Sequence, residues 1–154
     1  MIVLAQLPVT RALAGSRRMA TLSLLGLVWA VAWLLVPLGG TVLSGTAAAA
    51  LFAFAAAVFA VGECLHGAVQ APLVADLADH RLIGRYMAAS AFSWGVGFTV
   101  GPAIGGFVLS VWPHGLWLGA AAVCGLAGLA ALVVERGIPA HARRTPGRVA
   151  PAEA

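Results

Sequence analysis

Lysine and asparagine are absent from this chain, and charge of any kind is scarce. Only 9% of the 154 residues are charged, against roughly 25% in a soluble domain. That shortfall excludes an ordinary water-soluble domain. With 62% hydrophobic residues and a mean hydropathy of +0.99, the chain reads as a membrane protein. The missing asparagine removes any N-glycosylation sequon. Cysteine is limited to Cys64 and Cys124, both inside apolar runs and without paired spacing, so they read as small hydrophobes and not as a disulfide. The opening MIVLAQLPVTRALAG does not read as a signal peptide either, because it has no basic start and Arg11 follows its apolar part. All nine basic residues are arginine, against five acids. A nucleic-acid binder would gather them on a soluble face. Here they sit between long apolar runs, so no nucleic-acid partner is expected.

What is present is four runs long enough to span a bilayer, which takes about 20 mostly apolar helical residues. They are Ala20–Leu38, Thr46–Leu73, Ala88–Val111 and Gly115–Val134. The second is near 42 Å at about 1.5 Å per residue, so it must tilt or project into the interface. The opening MIVLAQLP is too short to span and reads as the last turns of a helix whose beginning is missing. Residues 1–135 are therefore expected to form a partial transmembrane helical domain. Arg11, Arg17 and Arg18 precede the first span, Arg81 and Arg85 lie between the second and third, and Arg136, Arg143, Arg144 and Arg148 follow the fourth. The connections GGTVLSG and WPHG carry no Arg, Asp or Glu. Positive residues collect on the cytoplasmic side, so the chain is expected to be multi-pass in the inner (plasma) membrane, with its C-terminus cytoplasmic. Residues 136–154, rich in Pro, Ala and Arg without an apolar period, are expected to be a disordered tail near the anionic leaflet.

Two groups of residues stand out against this background. In FAVGECLHGAVQAP, Glu63, His66 and Gln70 share one helical face within an apolar span. Ionisable groups at such depth face a bundle interior or a water-filled cavity and mark ion or substrate paths. Desolvation raises a carboxyl pKa, which makes proton exchange near neutral pH feasible. Glu63 and His66 also form a Glu-x-x-His pair, but di-iron bundles need that motif on two helices plus further carboxylates. It occurs once here, so no metal is expected. In SWGVGFTVGPAIGG, Ser93, Gly97, Gly101 and Gly105 recur every four residues, a spacing that lets helix backbones approach closely. Pro102 cannot donate to the Phe98 carbonyl, so a bend is expected there. No ATP-binding motif, nucleophile constellation or zinc-ligand cluster appears, so neither an enzyme nor a cofactor is expected.

These residues carry a family resemblance over nearly the whole chain. QLPVTRALAGSRRM looks like the end of span eight and the loop into span nine of a major facilitator superfamily transporter, in its drug-efflux-like branch. The block from Gly62 to Gly106 resembles spans ten and eleven with their connecting loop. It combines Glu63, Pro72, Asp76, Gly84-Arg85-Tyr86-Met87 and Gly101-Pro102-x-x-Gly105-Gly106. The segment after Gly115 is similar to span twelve. The resemblance implies an all-α membrane fold: four full helices plus a truncated N-terminal one, forming the C-terminal half of a major-facilitator-type bundle.

It further implies proton-coupled efflux of a small amphipathic substrate, with a missing N-terminal half as partner. Glu63, His66 and Gln70 would line the substrate and proton pathway. Asp76 and Arg85 would belong to a conformational loop that latches during alternating access. Ser93, Gly97, Gly101, Pro102, Gly105 and Gly106 would serve helix packing. The alternative is a small stand-alone four-helix membrane protein that oligomerises through its glycine ladder, either structural or a minimal exporter.

Overall fold

A computed structural model describes residues 8–147. Residues 8–12 are helical, and a turn through Gly15 at φ 76° leads into α1, Arg18–Thr41. Three further helices follow: α2, Gly45–Leu77; α3, Ile83–Val111; and α4, Pro113–Val134. Each of the four expected runs lies inside one of them. All four are long and apolar enough to cross a membrane, so the fold is an all-α, multi-pass membrane fold. A helix satisfies its own backbone polar groups, which is what an apolar solvent demands. Among the described residues there is no strand, and the one β-type contact is an isolated bridge between Arg17 and Arg144. The opening residues 1–7, read as the end of an earlier helix, lie outside the described residues.

The turns follow from local chemistry. Gly45 opens α2 at φ 59°, a left-handed value that glycine adopts without strain. Trp112 alone separates α3 from α4. Pro113 disfavours helical backbone in the residue before it and suits the first helical position, where an N–H is unneeded. The Trp112 ring then folds over Gly115, where any side chain would collide with it. Pro37, Pro72 and Pro102 all lie within helices, and α3 runs as one helix through Pro102.

Helix α1 is the centre of the packing, flanked by α2 and α4. Water does not drive helices together inside lipid, so close backbone approach has to do so. It occurs between Gly26 of α1 and Gly128 of α4. A Cβ on Gly26 would lie 2.6 Å from the Cys124 carbonyl oxygen and 2.9 Å from the Gly128 Cα. Helix α3 stands apart, touching α2 and α4 over short stretches and burying none of its residues.

The segment after α4 corrects the expectation of a disordered tail over 136–154. Two 3-10 turns, Glu135–Gly137 and Ala140–Ala142, fold residues 136–147 back onto the start of α1. Ile138 and Ala142 are buried with Met19 of α1 and Leu73 of α2. The Arg18 N–H donates to the Arg143 carbonyl at 2.9 Å, and the Thr145 N–H to that of Ser16 at 3.0 Å. Two apolar side chains and an antiparallel backbone pairing are enough to dock a segment whose composition shows no period. Residues 148–154 lie outside the described ones.

Candidate functional site

Glu63 and His66 sit on the same face of α2, one turn apart, both half-buried. The glycine before Glu63 is what admits a neighbour. The Trp29 indole of α1 lies directly over Gly62, in the space a Cβ would occupy, and donates its N–H to the Phe59 carbonyl at 3.2 Å. Trp29 in turn stacks on His66, with ring centroids 5.8 Å apart. On its other side His66 meets Trp94 of α3 edge to face at 5.2 Å, and Trp94 stacks on Phe98 at 5.6 Å.

The rings continue away from His66. Phe59 stacks on Trp29 at 5.4 Å and meets Trp33 edge-on at 5.9 Å, and Trp33 stacks on Trp117 of α4 at 5.9 Å. All four helices thus contribute to one aromatic row. Two cavities adjoin it, one of about 330 Å³ against Trp33 and Phe59 and one of about 380 Å³ against Trp94 and Phe98. Aromatic faces offer stacking area with defined geometry, while the carboxylate and imidazole offer polar handles. This row was not legible beforehand: its rings lie on four different helices, and no spacing within one of them shows that they meet.

Gln70 does not serve Glu63. Its side-chain amide donates to the Ser90 hydroxyl of α3 at 2.7 Å, tying α2 to α3 across the bundle. The expected conformational loop is divided as well. Asp76 lies in the last turn of α2 and pairs with Arg18 at 2.6 Å, while Arg85, in the first turn of α3, is exposed and makes no side-chain hydrogen bond or ion pair among the described residues. Asp76 turns instead to α1, whose start packs against the end of α2 through Met19, Leu73 and Leu77.

Around Asp76 the end of α2 meets the arginine-bearing start of α1 and the arginine-bearing segment after α4. Arg18 is 1% exposed, donates to Asp76 and to the Ala142 carbonyl, and keeps a buried Nε without a partner. The His141 ring faces the Asp76 carbonyl oxygen at 3.3 Å. Arg17 grips Glu135 with two hydrogen bonds of 2.9 and 2.5 Å, and the hydrogen-bonded carboxylate raises the Arg17 guanidinium above its ordinary pKa. Arg143 donates to the carbonyls of Ile138 and Arg136, and Arg144 to that of Gly15. Thr145 donates to the Leu13 carbonyl. Arginines that look purely topogenic in the sequence therefore also build a folded clasp.

The expected packing ladder has no partner among the described residues. Ser93, Gly97, Gly101, Pro102 and Gly106 are exposed, Gly105 partly so. A Cβ built on any of the four glycines would meet nothing within 4 Å. Close approach belongs to Gly26 and Gly128 instead, two glycines with no ladder between them to advertise it. Among the described residues no group of His, Cys, Asp and Glu could hold a metal ion. No protein-family model, curated protein or solved structure matches this chain.

Proposed function

We propose that the chain is the C-terminal part of a secondary transporter of the major facilitator type, exporting a small amphipathic molecule in exchange for protons. In this reading it works with an N-terminal half that supplies the other wall of the substrate path. It resides in the plasma membrane with its C-terminus cytoplasmic. The observation that carries the reading is the half-buried Glu63 one turn from His66, whose ring belongs to an aromatic row drawn from four membrane-spanning helices. An intramembrane carboxylate is costly to ionise and rare without a use. The Trp29 and Trp94 rings against His66 can stack the apolar part of a substrate, while a proton or polar group is held at the carboxylate one turn away. Gln70 helps indirectly, by fixing α3 and hence Trp94 against His66.

The test is extrusion of a fluorescent amphipathic dye by cells expressing the chain joined to its N-terminal half, compared with the Glu63→Gln variant of the same protein across external pH. The amide keeps shape and hydrogen bonding but carries no proton, so coupled extrusion is lost while membrane expression is kept. Extrusion by the Gln variant equal to wild type at every pH would refute the proton-carrier role.

A second reading is favoured by one observation. The open glycine face of α3 suits a stand-alone four-helix protein whose copies pack through Ser93, Gly97, Gly101 and Gly105. In the first reading the N-terminal half covers that face; in the second, another copy does.

A further inference from the structure

The arginine clasp encloses a cavity of about 710 Å³ lined by Arg17, Arg136, Arg143 and Arg144, with Glu135 and Leu132. Four arginines line it with one carboxylate, and that carboxylate is already committed to Arg17. Arg143 and Arg144 spend one or two N–H groups each on backbone carbonyls. Those bonds hold the guanidiniums in place and leave donors over, since each carries five. The Arg136 side chain is exposed and makes no hydrogen bond or ion pair among the described residues. Like charges gathered with so little compensation repel one another. An anion between them would remove the conflict.

The shape of the surroundings says which anion. Leu132 also lines a second cavity of about 570 Å³, which runs between α1 and α4 past Ser23, Leu27, Gly125 and Leu129. From Leu132 to Gly125 is about 10 Å along the helix axis. Leu27 and Leu129 are more than half exposed on this side, and Gly125 leaves the groove open. A cationic chamber at the helix ends thus adjoins, across Leu132, an apolar groove along the membrane-spanning surface. That is the chemistry of a phospholipid, with its phosphate among arginines that bind it bidentately and an acyl chain in the groove. Basic pockets between membrane helices hold anionic headgroups in this manner.

We propose that these adjoining cavities bind one anionic phospholipid, headgroup in the arginine chamber and acyl chain between α1 and α4. The site rests on the membrane-spanning reading and is independent of transport.

Native mass spectrometry tests it on the full chain, released from micelles doped with equal phosphatidylglycerol and phosphatidylcholine. Wild type is expected to retain phosphatidylglycerol at least about fivefold over phosphatidylcholine, and Arg136→Gln to lower that retention about fivefold, the effect of one arginine near an anionic surface. Arg136→Lys restores most of it. Both substitutions fall on an exposed side chain without a partner, so folding is preserved. Leu129→Trp, which fills the groove from an exposed position, also weakens retention, and inorganic phosphate competes poorly. Equal retention of the two lipids overturns the proposal, as does an Arg136→Gln variant that binds like wild type. If inorganic phosphate displaces phosphatidylglycerol at matched concentration while Leu129→Trp is silent, the chamber serves free phosphate and the lipid site is refuted.

Discussion

Helices α1 and α3 have similar lengths and similar apolar character, yet they are held in opposite ways. Around α1 the backbones of Gly26 and Gly128 touch, Trp29 fills the space over Gly62, and Arg18 is enclosed by Asp76 and the returning C-terminal segment. Helix α3 buries nothing; its side-chain ties to α2 are the Gln70–Ser90 hydrogen bond and the contact between Trp94 and His66. The lesson concerns glycine. A regular four-residue ladder was expected to mark the tight contact, but that contact lies between two helices whose glycines form no such run. Small residues permit close approach; the partner decides whether it happens.

The sharpest way to break this contrast is Gly26→Leu. Its Cβ would meet backbone atoms of α4, which cannot swing aside as a side chain could. Loss of the folded protein is expected, at more than about 4 kcal/mol, the range reserved for such defects. Size-exclusion profiles in detergent would show it. A variant that stays monodisperse would mean that α1 and α4 can separate freely.

Next comes an asymmetry within the clasp. Asp76→Ala strands the Arg18 guanidinium, which is 1% exposed and already has an unpartnered Nε, so a cost of about 3 kcal/mol is expected. Arg18→Met removes that buried charge and leaves Asp76, 45% exposed, to water, for less than about 1 kcal/mol. Thermal unfolding midpoints should fall far more for the first variant than the second. The reverse order would show that the arginine contributes through packing and not through its charge.

Gln70→Leu sharpens the α3 side. It deletes one interhelical hydrogen bond, worth about 0.6 kcal/mol on average in membrane bundles. The unfolding midpoint should move little, while tryptophan fluorescence shifts as Trp94 loosens from His66. An unchanged spectrum would mean that the ring contacts alone hold α3 in place.

Smallest of all within one chain is Gly101→Leu, for which no change in unfolding is expected because the position faces open space. Its effect belongs to assembly. If copies pack through α3, chemical cross-linking between them falls in this variant. Cross-linking that is unaffected would leave the ladder to a different partner.

Much of the architecture was determined by the sequence alone. Four apolar runs with few charges can only be satisfied as helices in a low-dielectric solvent, because each backbone amide then finds its partner four residues away. Glu63 and His66 were legible for the same reason: a polar group is conspicuous in an apolar run, and a spacing of three places both on one face. What spacing cannot convey is which faces meet. The ring row joins Trp29, Trp33, His66, Trp94 and Trp117 across distances in sequence that no local period encodes. Gln70 turned to Ser90 and Asp76 to Arg18 because those partners became neighbours only when the helices packed. The segment 136–147 escaped for a related reason. Its order comes from Ile138 and Ala142 entering a hollow that α1 and α2 create together, and that hollow exists only in the tertiary structure.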